Sequence, residues 1–210
     1  MSLPPFPSEV TQHLAEASAA AQTRRATDRR FVCQIFGPEW NAFVEQWAPT
    51  IYDFVGHALG PYGTEPLPEI LRMHDGDHAA GATASFHPGT GQVTLAGSVE
   101  GKPGQTLEKL THEFTHGSLA RFPEGDMFYE EGVVDFAVWV MAHAPIWGPH
   151  RNDMISAAAF NIRVRRDRAM KTHTEYDAKR WAGGLFASLA YGPFIIPRLR
   201  QKKMDGDYTW

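Results

Sequence analysis

The sequence predicts an α+β domain in which helices and a small mixed sheet ending in a hairpin are followed by a mainly helical half. Three observations carry this. Apolar residues recur at spacings of 3 and 4 over Glu39–Leu59, and Leu107, Leu110, Phe114 and Leu119 give a second apolar stripe. Two short runs, Ala82–His87 and Gln92–Val99, flank Pro88-Gly89-Thr90-Gly91, a turn whose glycines permit positive φ. From about Asp126 onward the pattern is helical, interrupted only by Gly and Pro. At 210 residues, 43% of them hydrophobic, the chain is long enough to bury one core. A single domain over 1–210 is therefore expected: a helical extension (1–35), a helix, sheet and motif-bearing helix (36–122), and a helical subdomain (123–210).

Taken in order, Ser8 to about Arg30 is Ala-rich, with Ser8 as N-cap and arginines toward the end of the helix, where cations suit its dipole. Asp28 and Glu16 interrupt those arginines and aromatics are missing, so they read as a solvated face. Gly37-Pro38 breaks the chain. The next helix carries Trp40, Phe43, Val44, Trp47, Ile51, Phe54, Val55 and Leu59 as one stripe, despite Pro49. Gly60-Pro61-Tyr62-Gly63 ends it, and Ile70–His74 is short enough for a strand. Asp75-Gly76-Asp77-His78 starts like a calcium loop but lacks the closing Glu, so it reads as a solvated loop. Beyond the hairpin, helices are expected over about Asp126–Ala144, Arg151–Lys171 and Glu175–Gln201, the last broken near Gly192-Pro193 and Pro197.

Several function classes drop out. A net charge of -4 gives no global attraction to nucleic acid or to an anionic membrane. Cys33 is the single cysteine, which rules out an intrachain disulfide and Cys-rich zinc sites and suits a small buried residue. No apolar run reaches the ~18 residues of a transmembrane span. The opening Met1–Pro7 carries no signal-peptide pattern, so the cytoplasm is the default expectation for the sequence as it stands.

The stretch that carries chemistry is His112-Glu113-Phe114-Thr115-His116, H-E-x-x-H within a helical stripe. At i and i+4 the two imidazoles share a face about 6 Å apart and can reach one zinc ion, while Glu113 lies beside the first ligand as a general base for a metal-activated water. Catalytic zinc takes three protein ligands. The metzincin extension would need Gly at 119 and His at 122, where this chain has Leu119 and Phe122. Across a 14-residue spacer lies Glu131-Gly132-Val133-Val134-Asp135, where Glu131 can be the third ligand and Asp135, one turn on, can accept the second ring N–H of a zinc-bound histidine. Glu130, His143 and His150 are the other candidate ligands.

Over roughly Gln92–Ala142 this arrangement resembles the gluzincins, the H-E-x-x-H peptidases with a Glu on the following helix, in a compact single-domain form. The resemblance implies a zincin-like fold with a thermolysin-like catalytic core, and an edge strand before the active-site helix, a place Gln92–Val99 can fill. It implies zinc on His112, His116 and Glu131, Asp135 behind a histidine, and hydrolysis of a peptide or protein substrate with Glu113 as base. It also implies a tyrosine donor for the oxyanion, for which Tyr176 matches best, ahead of Tyr191 and His173. The spacer is short for the family, so the connection must be tight. Two other readings stand beside this one: a zinc-binding module without catalysis, and a helical interaction protein without metal. Metal content separates them.

Overall fold

The computed structural model describes residues 6–23, 30–62, 70–75, 84–87, 92–120, 122, 127–172 and 175–209. The Asp75–His78 loop and the turn at 88–91 therefore fall wholly or largely outside the described residues. The architecture is mixed α+β, mostly helical around one four-stranded sheet.

Helix α1 (Ser8–Thr23) buries Val10, Leu14, Ala17 and Ala21, an i, i+4, i+7 series, against α2 (Pro38–Leu59). It shares the core with the elements that follow, and residues 24–29, over which the helix is expected to continue, lie outside the described residues. Arg30 instead opens strand β1 (Arg30–Cys33), which the sequence reading did not anticipate. In α2 the stripe behaves as expected: Val44, Ile51, Phe54, Val55 and Leu59 are fully buried, and the helix runs on through Pro49.

Strands β2 (Ile70–Asp75), β3 (Ala84–His87) and β4 (Gln92–Leu95) complete the sheet, in the order β1-β2-β4-β3. The β1–β2 pair is parallel with Arg30 opposite Ile70, the β2–β4 pair is parallel with Met73 opposite Val93, and β3–β4 is the expected antiparallel hairpin, Ala84 opposite Leu95. The edge is not Gln92–Val99. That segment ends as a strand at Leu95 and lies inside the sheet, because β2 takes its other side; β3 is the edge and packs along α3 (Pro103–Leu119). A short 3-10 turn over Gly97–Val99 replaces the rest of the expected strand.

Helix α3 runs through the middle of the molecule. Leu107, Leu110, Phe114 and Leu119 are fully buried, with Phe114 edge-on to Phe31 of β1 and Tyr52 of α2. Seven of its polar residues, Thr106, Glu108, Thr111, His112, Glu113, Thr115 and Ser118, are buried too, and Thr111 and Thr115 each donate their hydroxyl to the carbonyl one turn back, at 2.7 Å.

The rest is helical as expected: α4 (Met127–Met141), a 3-10 segment Pro145–His150, α5 (Arg151–Thr172), α6 (Glu175–Tyr191), a 3-10 turn Gly192–Phe194, and α7 (Ile195–Met204). Pro197 breaks nothing, because it is the third residue of α7, in the first turn, where the missing N–H has no partner to lose. Helices α4 and α6 touch backbone to backbone. A methyl placed on Gly132 would land on the main chain of Trp181 and Leu185, and one on Gly184 on that of Tyr129. At the other end of the molecule, the buried Lys203 of α7 donates from Nζ to Gly60 O at 3.0 Å and to Ser118 O and Oγ at 2.8 Å. One ammonium thus serves the C-terminal ends of both α2 and α3. Among the described residues no helix is long and apolar enough to cross a membrane.

Candidate metal centre

The four-residue spacing on α3 sets His112 and His116 on one face, turned toward α4, with ring centroids 4.8 Å apart. Both present Nε2 to the same point. His112 Nε2 lies 3.1 Å from His116 Nε2 and 3.1 Å from Glu131 Oε2, and His116 Nε2 is 3.4 Å from Glu131 Oε1. These three residues are the ligand-type cluster found among the described residues. A tetrahedral ion with bonds of about 2.0 to 2.2 Å has ligand-to-ligand edges of roughly 3.3 to 3.6 Å, a few tenths of an ångström above the observed triangle.

The outer ring nitrogens are held by acids of α4. His116 Nδ1 meets Glu130 Oε1 at 2.6 Å, and His112 Nδ1 faces Asp135 Oδ1 at 3.3 Å, an ion-pair separation without good hydrogen-bond alignment. Glu130 is thus not the alternative ligand it was on sequence grounds but the partner behind His116, a role the sequence reading left empty. Asp135 is in turn fixed from both sides. Asn161 Nδ2 of α5 donates to Asp135 Oδ1 at 3.1 Å and to Glu108 Oε1 at 3.2 Å, and the Trp181 indole of α6 donates to Asp135 Oδ2 at 3.1 Å. The Gly132 and Gly184 contact is what lets α6 come near enough for that indole to reach.

Arg165, one turn beyond Asn161, enters the same cluster. Its Nη1 donates to Glu131 Oε2, Nη2 stands 3.4 Å from His112 Nε2, and Nε is 3.5 Å from Asp135 Oδ2. Glu113 is buried, and its carboxylate is coupled electrostatically to both His116 and Arg165. Among the described residues nothing hydrogen-bonds it, so its oxygens are open to a small donor such as water.

The charges show what the site wants. Glu108, Glu113, Glu130, Glu131 and Asp135 converge here, against the permanent cations Arg165 and Lys109, whose Nζ is 3.0 Å from Glu108 Oε2. Positive charge is short. Burial pushes the imidazole of His116 down, but Glu130 and Glu131 outweigh it and hold its pKa well above 6.5. For His112 burial likewise lowers and Asp135 and Glu131 raise, with a net rise. Burial would raise Glu131, yet the two histidines pull it well below 4.5. Burial would lower Arg165, and Asp135 and Glu131 raise it instead. Such a field favours either protons on both imidazoles or a cation between them.

Compared with family models, curated proteins and solved structures, the chain matches none.

The remaining candidates separate. His143 donates from Nδ1 to Trp139 O at 2.9 Å and packs on Phe6 and Trp139. His150 stands edge-on to Phe43 and Trp47. Both are aromatic-packing histidines and neither joins the triad, which corrects their candidacy as ligands. Tyr191 is exposed at the far end of α6 under Arg198, 4.3 Å away, and is no part of the cluster. Tyr176 lies in the first turn of α6, its side chain outside the described residues, as is His173. Cys33 is buried and unpaired, its thiol pushed up by burial, as a packing residue should be.

Proposed function

We propose that the chain is a zinc-dependent peptidase of zincin-like fold, with His112, His116 and Glu131 as ligands and Glu113 as general base. One observation supports this above the others: two Nε2 atoms and a carboxylate converge at tetrahedral-ligand distances, and each imidazole has an acid behind its other nitrogen. That pairing fixes tautomer and ring direction so that both lone pairs point inward. The donor set, two imidazoles and one carboxylate, is the catalytic rather than the closed structural kind, and the shortage of positive charge is what a divalent cation would relieve.

A bound zinc ion would supply a Lewis acid that activates water and polarises a carbonyl. The chain's own residues do the rest. Glu130 and Asp135 keep the N–H of His116 and His112 on the Nδ1 side, so that Nε2 is the atom offered to a cation, and hold both rings aligned. Glu113, buried beside the pair, takes the proton of the attacking water and hands it to the departing amine, which leaves as the C–N bond breaks. Tyr176 is the proposed oxyanion donor. The edge strand β3, beside α3, offers an extended peptide a backbone ladder to pair with.

A reading without metal has one observation in its favour, since the Arg165 guanidinium already neutralises Glu131. Metal analysis of the purified protein, with a peptide-library cleavage profile for wild type and Glu113→Gln, decides between them. One equivalent of zinc and cleavage lost in the variant is the expected result. A protein that binds no zinc at any pH tested ends the proposal, and a zinc-loaded protein that cleaves nothing leaves a binding module.

A further inference from the structure

Charge and exposed apolar surface divide this molecule along the same line. From Arg151 to Met204, the stretch that forms α5, α6 and α7, the sequence has 12 Lys and Arg against 4 Asp and Glu, a balance of +8. The other residues have 8 against 20, a balance of -12, which together give the net -4. Among the described residues, every large apolar side chain that is exposed falls within the positive stretch.

The two features alternate on the outer faces of the helices. Helix α5 turns Met154 and Ala158 into the core and Asn161 and Arg165 toward the site, which leaves Phe160 and Val164 outside, with the Arg163 guanidinium 5.2 Å from the Phe160 ring. Helix α6 lays Trp181 and Gly184 against α4 and buries Ser188, which leaves Phe186, 66% exposed, and Leu189 on its other face. Neither core packing nor the metal centre uses these side chains.

We propose that the outer face of α5–α7 docks on an anionic lipid bilayer, its Phe and Leu side chains entering the headgroup boundary and its Arg and Lys meeting lipid phosphates. Cations interleaved with exposed aromatic and aliphatic side chains are the composition of an interfacial surface. A nucleic-acid duplex would be met by the cations alone, and single-stranded bases that stacked on the aromatic rings would still leave the exposed aliphatic Val164, Leu189 and Met204 without a partner. A second copy on the same face would set like charge against like, since Arg163, Arg166, Lys179, Arg180, Arg198 and Arg200 are exposed while Arg165 and Lys203 turn inward. With no membrane-spanning helix among the described residues, the attachment is peripheral and sensitive to salt.

The test is flotation of the full chain with vesicles of phosphatidylcholine alone or mixed with 30% phosphatidylglycerol, at low and high salt. Binding to the anionic vesicles only, reduced at least tenfold by high salt, is expected. Phe186→Ser with Leu189→Ser, and separately Arg163→Glu with Arg166→Glu, should each lower it tenfold or more; all four positions are exposed, so unchanged melting curves verify the fold. Equal binding to neutral vesicles, binding to neither, or binding indifferent to both double variants would overturn the proposal. Capture by duplex DNA or polyglutamate in place of vesicles would reassign the face to a polyanion.

Discussion

Glu130 and His116, on successive helices, meet at 2.6 Å, Oε1 to Nδ1, while the neighbouring Glu131 turns its carboxylate to Nε2 of both histidines. Two adjacent acids thus take different tasks, one on each side of the same imidazole. Glu130→Gln should weaken zinc affinity about 10 to 100-fold by loosening His116, and Asp135→Asn should do likewise through His112. Glu131→Gln, which removes a ligand, should cost more than either. Chelator-competition titrations give the order, and a Glu130→Gln affinity equal to wild type would refute the division of tasks.

Glu113→Gln should keep zinc affinity close to wild type and abolish hydrolysis, because the amide preserves shape but takes no proton. The two quantities are to be read on the same preparation. Retained turnover would show that another group moves the proton.

The pH dependence of the metal-free protein has a definite sign. His112 and His116 hold protons more tightly folded than unfolded, so their contribution is complete below 6.5 and fades as the pH rises through their folded values. Glu131, held below 4.5, contributes above 4.5 and fades as the pH falls through its folded value. With a chelator present, the cluster's stabilisation should be greatest between about pH 4.5 and 6.5 and decline toward pH 8. Zinc requires deprotonated imidazoles, so its addition should move the optimum upward. Melting temperatures across this range, with and without zinc, check both statements; a chelated protein that gains stability from pH 6.5 to 8 would contradict the first.

Gly184→Ala sets two effects against each other. Helix propensity favours Ala by about 0.8 to 1.0 kcal/mol. The added methyl would meet the main chain of Tyr129, and overpacking of that kind costs about 1 to 3 kcal/mol or more, since backbone cannot rotate away. Net destabilisation is expected, visible as a lower midpoint in urea, together with weaker zinc binding as Trp181 is lifted from Asp135.

What the sequence made legible was local. The helices from Met127 onward, the hairpin and the paired histidines all rest on periods of 3.6, 2 or 4 residues. Strand β1 did not show, since Arg-Phe-Val-Cys is four residues long, adjoins a basic run, and is a strand only because β2 lies parallel to it 40 residues later. The choice between Glu130 and Glu131 depends on how α4 crosses α3, which no spacing states. Asn161 and Arg165 sit 53 residues from Glu108 and His112, within an arginine-rich helix where nothing local distinguishes the inward residues from the solvated ones. A net charge of -4 likewise averaged over a division that becomes plain only when charges are counted helix by helix.

The Lys203 clamp carries a timing consequence. Its ammonium holds Ser118, two residues past His116, from 85 residues further along the chain. At synthesis rates of about 5 to 20 residues per second, the motif helix is made some 4 to 17 s before the group that secures its end. The histidines therefore emerge on a helix whose carbonyl and hydroxyl at Ser118 meet their ammonium only when α7 is made. Any metal captured before then would meet a helix not yet clamped at Ser118, and the arrival of α7 is the step that adds the clamp.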